Sequence, residues 1–129
     1  MEVTVGGSRP RQTLGRLARS ADIRAVLRRG RGYSCPAGIL KVGKGGSDRH
    51  RLCVIVSRKV GKAVVRNRIR RRVREIARRE INHDVRPVDV TFRALPPAAD
   101  LGFGALRESV VGLMVEAGLV AEPDSAQWR

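Results

Sequence analysis

The chain has 129 residues, 42% of them hydrophobic, and its 27 Lys and Arg against 12 Asp and Glu give a formal net charge of +15. This length fits one domain with a modest core, and such an excess of positive charge favours a polyanionic partner, of which nucleic acid is the commonest. The longest aliphatic run, Leu52 to Val56, is too short to span a bilayer, and the first twelve residues lack the apolar segment of a signal peptide, so we expect a cytoplasmic protein with no membrane partner.

The N-terminal part of the chain predicts a tail followed by a helix. Residues 1–13 are rich in Gly and Arg and show no hydrophobic periodicity, which is typical of a flexible basic tail. The folded domain is predicted over residues 14–121. Ser20 is a suitable cap for a first helix over Ala21–Arg29, which Gly30 ends. The buried face of this helix is predicted to consist of Ile23, Val26 and Leu27.

Three strands are predicted next, over Arg31–Ser34, Gly38–Val42 and Arg51–Ser57. A loop rich in Gly separates the second strand from the third. The third strand is apolar at nearly every position and includes Cys53 as a small core residue, which predicts a place in the middle of a sheet.

A basic segment, Arg58–Arg79, follows the third strand and carries eleven Lys or Arg and one acid, Glu75, in 22 residues. Its apolar residues recur at helical spacing, which predicts an amphipathic helix ending near Ile81. The buried stripe of that helix consists of Val65, Ile69, Val73 and Ile76. Another side can match a row of phosphates with Asn67, Arg71, Arg74 and Arg78. The alternative is a solvated charged helix without a ligand, for which one acid offers little compensation.

The remaining chain predicts a strand, Val88–Ala94, a last helix, Phe103–Ala117, and a flexible C-terminal tail, residues 122–129. The complete order is αβββαβα, which predicts one α+β domain. The basic helix lies between two strands as a βαβ unit, for which pattern reasoning favours the usual right-handed crossover.

The sequence predicts no catalytic residue and no metal site in the protein. Cys35 and Cys53 lack a CxxC partner or a nearby Cys and His set at zinc-ligand spacing. His50 and His83 are expected at the surface without a partner for nucleophilic catalysis. The acids are scattered, and no two can be placed together as a two-metal nuclease site. These features indicate a protein that binds nucleic acid rather than one that cleaves it.

The segment Ser57–Arg71, SRKVGKAVVRNRIRR, resembles the signature of the protein subunit of bacterial ribonuclease P. It joins a glycine turn, an Ala-Val helix start and an Arg-Asn-Arg core at fixed spacing. The resemblance extends from Leu17 to about Leu119 and includes the strand that ends in Ala94 and the closing helix. It implies a ferredoxin-like sandwich related to a ribosomal-protein domain, with a left-handed βαβ crossover in place of the right-handed one.

The resemblance implies a non-catalytic role within a ribonucleoprotein endoribonuclease. In that family a large RNA uses Mg²⁺ to remove the 5′ leader from precursor tRNA, and the RNA and the substrate hold most of the metal. The small protein assists the catalytic RNA and binds the leader. By resemblance, the contacts to the catalytic RNA are Arg66, Asn67, Arg68, Arg70, Arg71 and Arg74.

A second surface implied by the resemblance is a cleft between the first helix and the sheet, which holds the single-stranded leader. The matching positions are Ile23, Leu27, Lys41, Val54, Val56 and Arg58. Several of these are commonly aromatic in relatives, so this chain favours apolar contact and phosphate attraction over stacking of bases. The phosphates would be held by Arg24, Lys41, Arg58 and Lys62. The alternative is that Ile23 and Leu27 are simply core residues beneath the helix.

Three other functions share part of this pattern. A ribosomal or ribosome-associated RNA-binding protein of related fold has the same charge and small core, but the glycine turn joined to Arg-Asn-Arg argues against it. A DNA-binding helix is disfavoured because this helix lies between two strands and has no partner-helix turn or dimer seam, so no DNA partner is expected. Membrane binding is disfavoured because the apolar stripe belongs to the core and lacks Trp or Phe.

Overall fold

A computed structural model describes residues 14–120 as a mixed five-stranded sheet with three α-helices. In chain order the elements are β1 (Gly15–Arg16), α1 (Ser20–Arg29), β2 (Arg31–Cys35), β3 (Gly38–Lys44), β4 (Arg51–Ile55), α2 (Ala63–Glu80), β5 (Val88–Ala94), a 3₁₀-helix (Pro96–Asp100) and α3 (Phe103–Glu116). The predicted α+β class and element order are confirmed. The short β1 and the 3₁₀-helix are additions, and both predicted tails, 1–13 and 122–129, lie outside the described residues.

The strands lie in the order β1–β4–β5–β3–β2, so β5 is the central strand. The parallel pairs are β1 with β4 and β4 with β5, and β3 runs antiparallel to both β5 and β2. The parallel β4–α2–β5 connection is the expected βαβ unit. The left-handedness of this crossover stays a prediction. The predicted position of the third strand inside the sheet is confirmed, because β4 lies between β1 and β5, although its pairing with β1 covers only two residues.

The sheet has two unlike faces. One face packs against α2 and α3 as the main core, to which Leu40, Leu52, Val90 and Phe92 belong. The other face lies against α1, which packs on β3 and β5. Because successive side chains of a strand point to opposite faces, the residues between the core positions point toward α1.

Helix α1 buries little of its surface in the main core. It begins at Ser20 itself, with Arg19 at the capping position and no side-chain cap, so the prediction that Ser20 caps the helix is wrong. Only Val26 is fully buried, and it faces Gly43 of β3. Ile23 and Leu27 are half-buried and lie outside the core cluster, so they are not core residues beneath the helix.

His50 is buried just before β4, and the prediction that it lies at the surface is wrong. Its side chain is 2% exposed, and its Nδ1 accepts a hydrogen bond of 3.1 Å from the Val88 backbone N–H. Its Nε2 lies 3.2 Å from the Asn82 carbonyl oxygen, to which it donates as the neutral tautomer. Burial lowers the pKa of the His50 imidazole, which favours this neutral form.

Candidate nucleic-acid interface

The basic helix α2 presents its cations on two flanks and a crest, because its inner side is buried. Ile69, Val73 and Ile76 are fully buried and Val65 half-buried, which confirms the predicted stripe. Successive residues of an α-helix are rotated by 100° about its axis, so the remaining positions fall into three groups that point in different directions. The β4-edge flank consists of Arg66, Asn67, Arg70 and Arg74. The α3 flank consists of Arg68, Arg72, Glu75 and Arg79. The crest between them consists of Val64, Arg71 and Arg78.

The β4-edge flank reaches over β4, on the side of this strand that pairs with the two residues of β1. Arg70 Nη2 donates to the Val56 carbonyl at 3.4 Å, and Arg74 Nη2 donates to the Leu52 carbonyl at 3.4 Å. Arg66 Nε donates to the Gly61 carbonyl at 3.1 Å in the turn before the helix. Each guanidinium has five N–H donors, so these bonds hold its position while other donors stay available to a phosphate.

Asn67 and Arg74 give this flank an oriented guanidinium and a poorly compensated positive charge. Asn67 Oδ1 accepts a 2.9 Å bond from Arg70 Nη1, which orients the guanidinium. Burial, and then the neighbouring Arg16, lowers the pKa of the Arg74 guanidinium. An arginine stays protonated in proteins, so this direction means that its charge is poorly compensated in the free protein. A phosphate at this position would relieve that cost.

The α3 flank is more tied into the fold. Arg68 Nη2 lies 3.5 Å from the Ala99 carbonyl of the 3₁₀-helix, and its Nε is buried without a hydrogen-bond partner within residues 14–120. Glu75 accepts hydrogen bonds from Arg78 and Arg79, and the bonds from Arg78 are the main cause that lowers the pKa of its carboxyl. The six residues predicted to contact the catalytic RNA therefore do not share one surface, because Arg68 points away from Arg66, Arg70 and Arg74.

The cleft face of the sheet lies beside the C-terminal half of α1. Its hollow is lined by Leu27, Ile39, Lys41, Thr91 and Arg93. Lys41 Nζ donates to the Leu27 carbonyl at 2.6 Å, so this lysine first serves to cap the last turn of α1. Arg93 is exposed at the same face and is the cation there with a free guanidinium among the described lining residues.

Two predicted cleft residues, Val54 and Val56, point the other way. They are 8% and 5% exposed and belong to the main core, so their placement in the cleft is wrong. Cys53 and Ile55 alternate with them and face α1; both are half-buried, so Cys53 is not a core residue either. The error is one residue of strand register, which turns every side chain to the opposite face.

The other predicted cleft residues have mixed positions. Ile23 and Leu27 lie half-buried on α1, and Arg24 is exposed on the same helix. Arg58 and Lys62 are exposed in the segment between β4 and α2, beyond the end of the strand. None of these placements conflicts with contact to a nucleic acid.

The sequence contains a signal for cleft residues beyond those predicted. Residues 88–94 read Val-Asp-Val-Thr-Phe-Arg-Ala, in which Asp89, Thr91 and Arg93 alternate with apolar residues. Such alternation assigns the polar positions to the face away from the core. The registers Lys41–Thr91–Cys53 and Ile39–Arg93–Ile55 then extend that assignment across the sheet.

A partly buried ion pair links the other end of α1 to the sheet. Arg51 donates to both carboxylate oxygens of Asp89, at 2.9 and 2.8 Å, and lies 3.6 Å from Asp22 of α1. The hydrogen bond with Asp89 is the main cause that raises the pKa of Arg51. Asp22 and Asp89, which are far apart in the sequence, therefore meet at one guanidinium.

This arrangement does not fit a divalent cation held by the protein. Within residues 14–120 no three His, Cys, Asp or Glu side chains come together as metal ligands. Asp22 and Asp89 converge, but Arg51 occupies the position between them.

Within residues 14–120, no helix is both long and apolar enough to cross a membrane.

Comparison with known proteins identifies the relatives of this arrangement. The family model described as Ribonuclease P matches residues 12–118. The chain belongs to the ribonuclease P protein family. The "Ribonuclease P protein component" of Clostridium botulinum (strain 657 / Type Ba4) is 33% identical over 105 residues, which cover 81% of this chain and 95% of that protein. The protein of the same name from Clostridium kluyveri is 37% identical over 108 residues, with the same coverage of both chains.

Solved structures confirm the fold of a ribonuclease P protein. The RNase P protein of Staphylococcus aureus superposes with a TM-score of 0.73 at 25% identity and covers 81% of this chain and 96% of its own. The RNase P protein of Thermotoga maritima, solved with 1-(4-fluorophenyl)-2-thiourea, superposes with a TM-score of 0.68 at 28% identity and covers 76% of this chain and 95% of its own. The resemblance stated from Ser57–Arg71 is thereby confirmed.

Proposed function

We propose that this ribonuclease P protein is the RNA-binding subunit that assists a catalytic RNA in removing the 5′ leader from precursor tRNA. The observation that carries the proposal is that, in a family member, the basic β4-edge flank of α2 and the cleft face of the sheet meet at one strand, β4. On one side Arg70 and Arg74 cover the edge of that strand, and on the other Cys53 faces the cleft. Burial raises the pKa of the Cys53 thiol, and the charges of Arg74 and Arg70 offset part of that shift.

The β4-edge flank and the crest suit the catalytic RNA. They carry fixed cations, and Asn67 and Arg71 are exposed on them. A structured RNA offers a rigid set of phosphates, and guanidinium groups already oriented by the protein lose less entropy on binding them. Arg68 contributes through the fold, because it links α2 to the 3₁₀-helix instead of facing outward.

The cleft suits the single-stranded leader. Its side chains are aliphatic at Ile23, Leu27, Ile39 and Ile55, and Arg93 adds an exposed cation. Without aromatic platforms at these positions, bases make apolar contact while phosphates supply most of the attraction. A leader held in this way is bound with little regard to its base sequence.

The reaction requires no catalytic group from residues 14–120. The Mg²⁺ belongs to the RNA and the substrate phosphates in this proposal, since the described acids do not form a site for it. The protein contributes binding: it holds the leader next to the RNA that it also contacts, which raises the effective concentration of one for the other.

Reconstitution tests this function. The purified protein alone should not cleave precursor tRNA, and its addition to the cognate catalytic RNA should restore cleavage at low Mg²⁺. RNA that copurifies at high salt gives a second readout, in which a long RNA that cleaves precursor tRNA supports the proposal and ribosomal RNA supports the ribosomal alternative. Robust cleavage by protein that is rigorously free of RNA would reject the assignment.

A further inference from the structure

An exposed aromatic ring lies on the side of α2 that faces away from the β4 edge. Phe103 is the first residue of α3 and is 39% exposed, whereas Phe92 of the core is fully buried. It lines a groove between α2 and α3 with Arg71, Arg72, Glu75 and Arg79. We call this the Phe103 groove.

The residues on either side of Phe103 have no side chains that could cover its ring. Gly102 and Gly104 flank Phe103, and a Cβ built at either glycine would meet no atom within 4 Å. The buried stripe of α3 begins only at Leu106 and continues through Val110, Leu113 and Met114. Phe103 lies outside the core cluster, and the other residues that line its groove are all charged.

The charge of the Phe103 groove is strongly positive. Within residues 14–120, Arg71 and Arg72 take part in no ion pair, and the carboxylate of Glu75 is already engaged by Arg78 and Arg79. The first turn of α3 has no acid and no side-chain cap, so its unpaired N–H groups add to the positive potential beside the ring. An apolar ligand alone would leave these charges uncompensated.

We propose that the Phe103 groove binds an unpaired nucleotide of the catalytic RNA, with its base stacked on Phe103 and its phosphates at Arg71 and Arg72. An aromatic ring beside guanidinium groups is the combination that recognises splayed-out bases, since the ring takes the base and the cations take the backbone. This contact rests on the proposed function for the identity of the RNA. It adds a third RNA-binding surface, on the opposite flank of α2 from the β4 edge.

Substitution of the ring tests the proposal directly. Phe103→Leu removes stacking and keeps apolar volume, and we expect it to weaken affinity for the catalytic RNA about tenfold, within the range that stacking of one base supplies. Phe103→Trp should retain affinity. In a Trp128→Phe background the introduced indole is the only one in the chain, so its fluorescence should be quenched when RNA saturates the protein.

Charge and fold are controlled separately. Arg72→Gln should weaken RNA binding more than Arg31→Gln, an exposed arginine on β2 that is not part of the groove. Thermal unfolding of each variant checks that the fold is retained. Wild-type affinity in Phe103→Leu, or an indole that is unquenched at saturating RNA, would overturn the groove proposal alone. A wild-type protein that fails to bind the catalytic RNA at all would instead overturn the proposed function.

Discussion

The arginines of α2 differ in what each one does, although their side chains are alike. Arg66, Arg70 and Arg74 each donate to a backbone carbonyl and keep further donors free, whereas Arg71 is exposed at the crest. Arg68 has a buried Nε and lies against the 3₁₀-helix. Replacement of Arg68 should therefore act on stability, and replacement of exposed residues should act on RNA binding.

Removal of two cations of α2, half-buried Arg70 and exposed Arg71, should weaken assembly without unfolding the protein. We expect Arg70→Gln with Arg71→Gln to reduce affinity for the catalytic RNA roughly a hundredfold or more, because a charge-assisted phosphate bond is worth on the order of 1.5 to 3 kcal/mol. Titration of labelled RNA measures the loss. The control is Arg31→Gln with Arg86→Gln, which removes the same charge from exposed positions outside α2; equal losses in both variants would show that only net charge matters.

His50 should make the stability of the free protein depend on pH. Burial lowers the pKa of its imidazole below the usual 6.5, so the unfolded chain binds a proton more readily than the folded one. The contribution of His50 to the free energy of unfolding is therefore fully present above about pH 6.5. It is lost as the pH falls through the lowered pKa. Urea unfolding at about pH 7.5 and 5.5 measures this difference.

Histidine variants separate the two imidazoles. His50→Gln should lose most of the pH dependence, and His83→Gln should keep most of it, although the two rings lie 5.7 Å apart. A His50→Gln protein with the same pH dependence as the wild type would contradict the assignment.

At the scale of elements, the two faces of β4 define two different environments. Val54 belongs to the core between the sheet and the helices, and Ile55 faces α1 across the cleft. We therefore expect substitutions on one face of β4 to affect folding and substitutions on the other face to affect binding of the leader.

This difference between the two faces can be tested with two neighbouring substitutions. Val54→Ala should lower the free energy of unfolding by about 1.5 to 3 kcal/mol, from lost burial and the remaining cavity, while folded protein keeps its affinity for the leader. Ile55→Ala should cost less stability and weaken the contribution of the leader to substrate affinity. Binding of precursor tRNA with and without a leader, together with chemical denaturation, distinguishes the two outcomes, and a reversed pattern would mean that Val54 lines the cleft after all.

The cleft should bind the leader with a steep dependence on salt. Each phosphate contact contributes a log-log slope of roughly 0.7 for single strands, so Arg93→Gln should flatten the slope by about that amount. Arg58→Gln with Lys62→Gln should flatten it by about one to two units. The measurement is holoenzyme affinity for substrates with and without a leader across a salt series, with Arg86→Gln as the control. Equal affinities for both substrates at low salt would mean that the cleft does not hold the leader.

Much of the fold could be predicted from local patterns, and the errors have common physical causes. The α2 stripe and the bounds of β5 followed from periodicity. The two-residue β1 could not, because it exists only through its pairing with β4. His50 was misplaced because its polar neighbours Ser47–Arg49 read as a loop, whereas its burial depends on distant Asn82 and Val88.

Across the whole molecule, the sequence predicted many of the residues of the candidate site but only part of their arrangement in space. The basic helix and Lys41 were identified from the sequence, and Arg93 required knowledge of strand order and register. The division of α2 into two flanks depends on which neighbours it packs against. Phe103 was identified as a helix start, and its exposure beside Arg71 and Arg72 became visible only in three dimensions.

The arginines over β4 also affect how the protein behaves before any RNA arrives. An open strand edge is a template for pairing with the strand of another molecule, and charged side chains placed over it prevent such self-association. β1 covers β4 only at Arg51 and Leu52, so the edge of β4 is open beyond them. Arg70 lies over this open part at the Val56 carbonyl, and Arg74 lies beside it at the Leu52 carbonyl, which also accepts from the Leu17 N–H. In the proposed function the same charges bind RNA, so we expect the solubility of the unassembled protein and its assembly with RNA to depend on the same side chains.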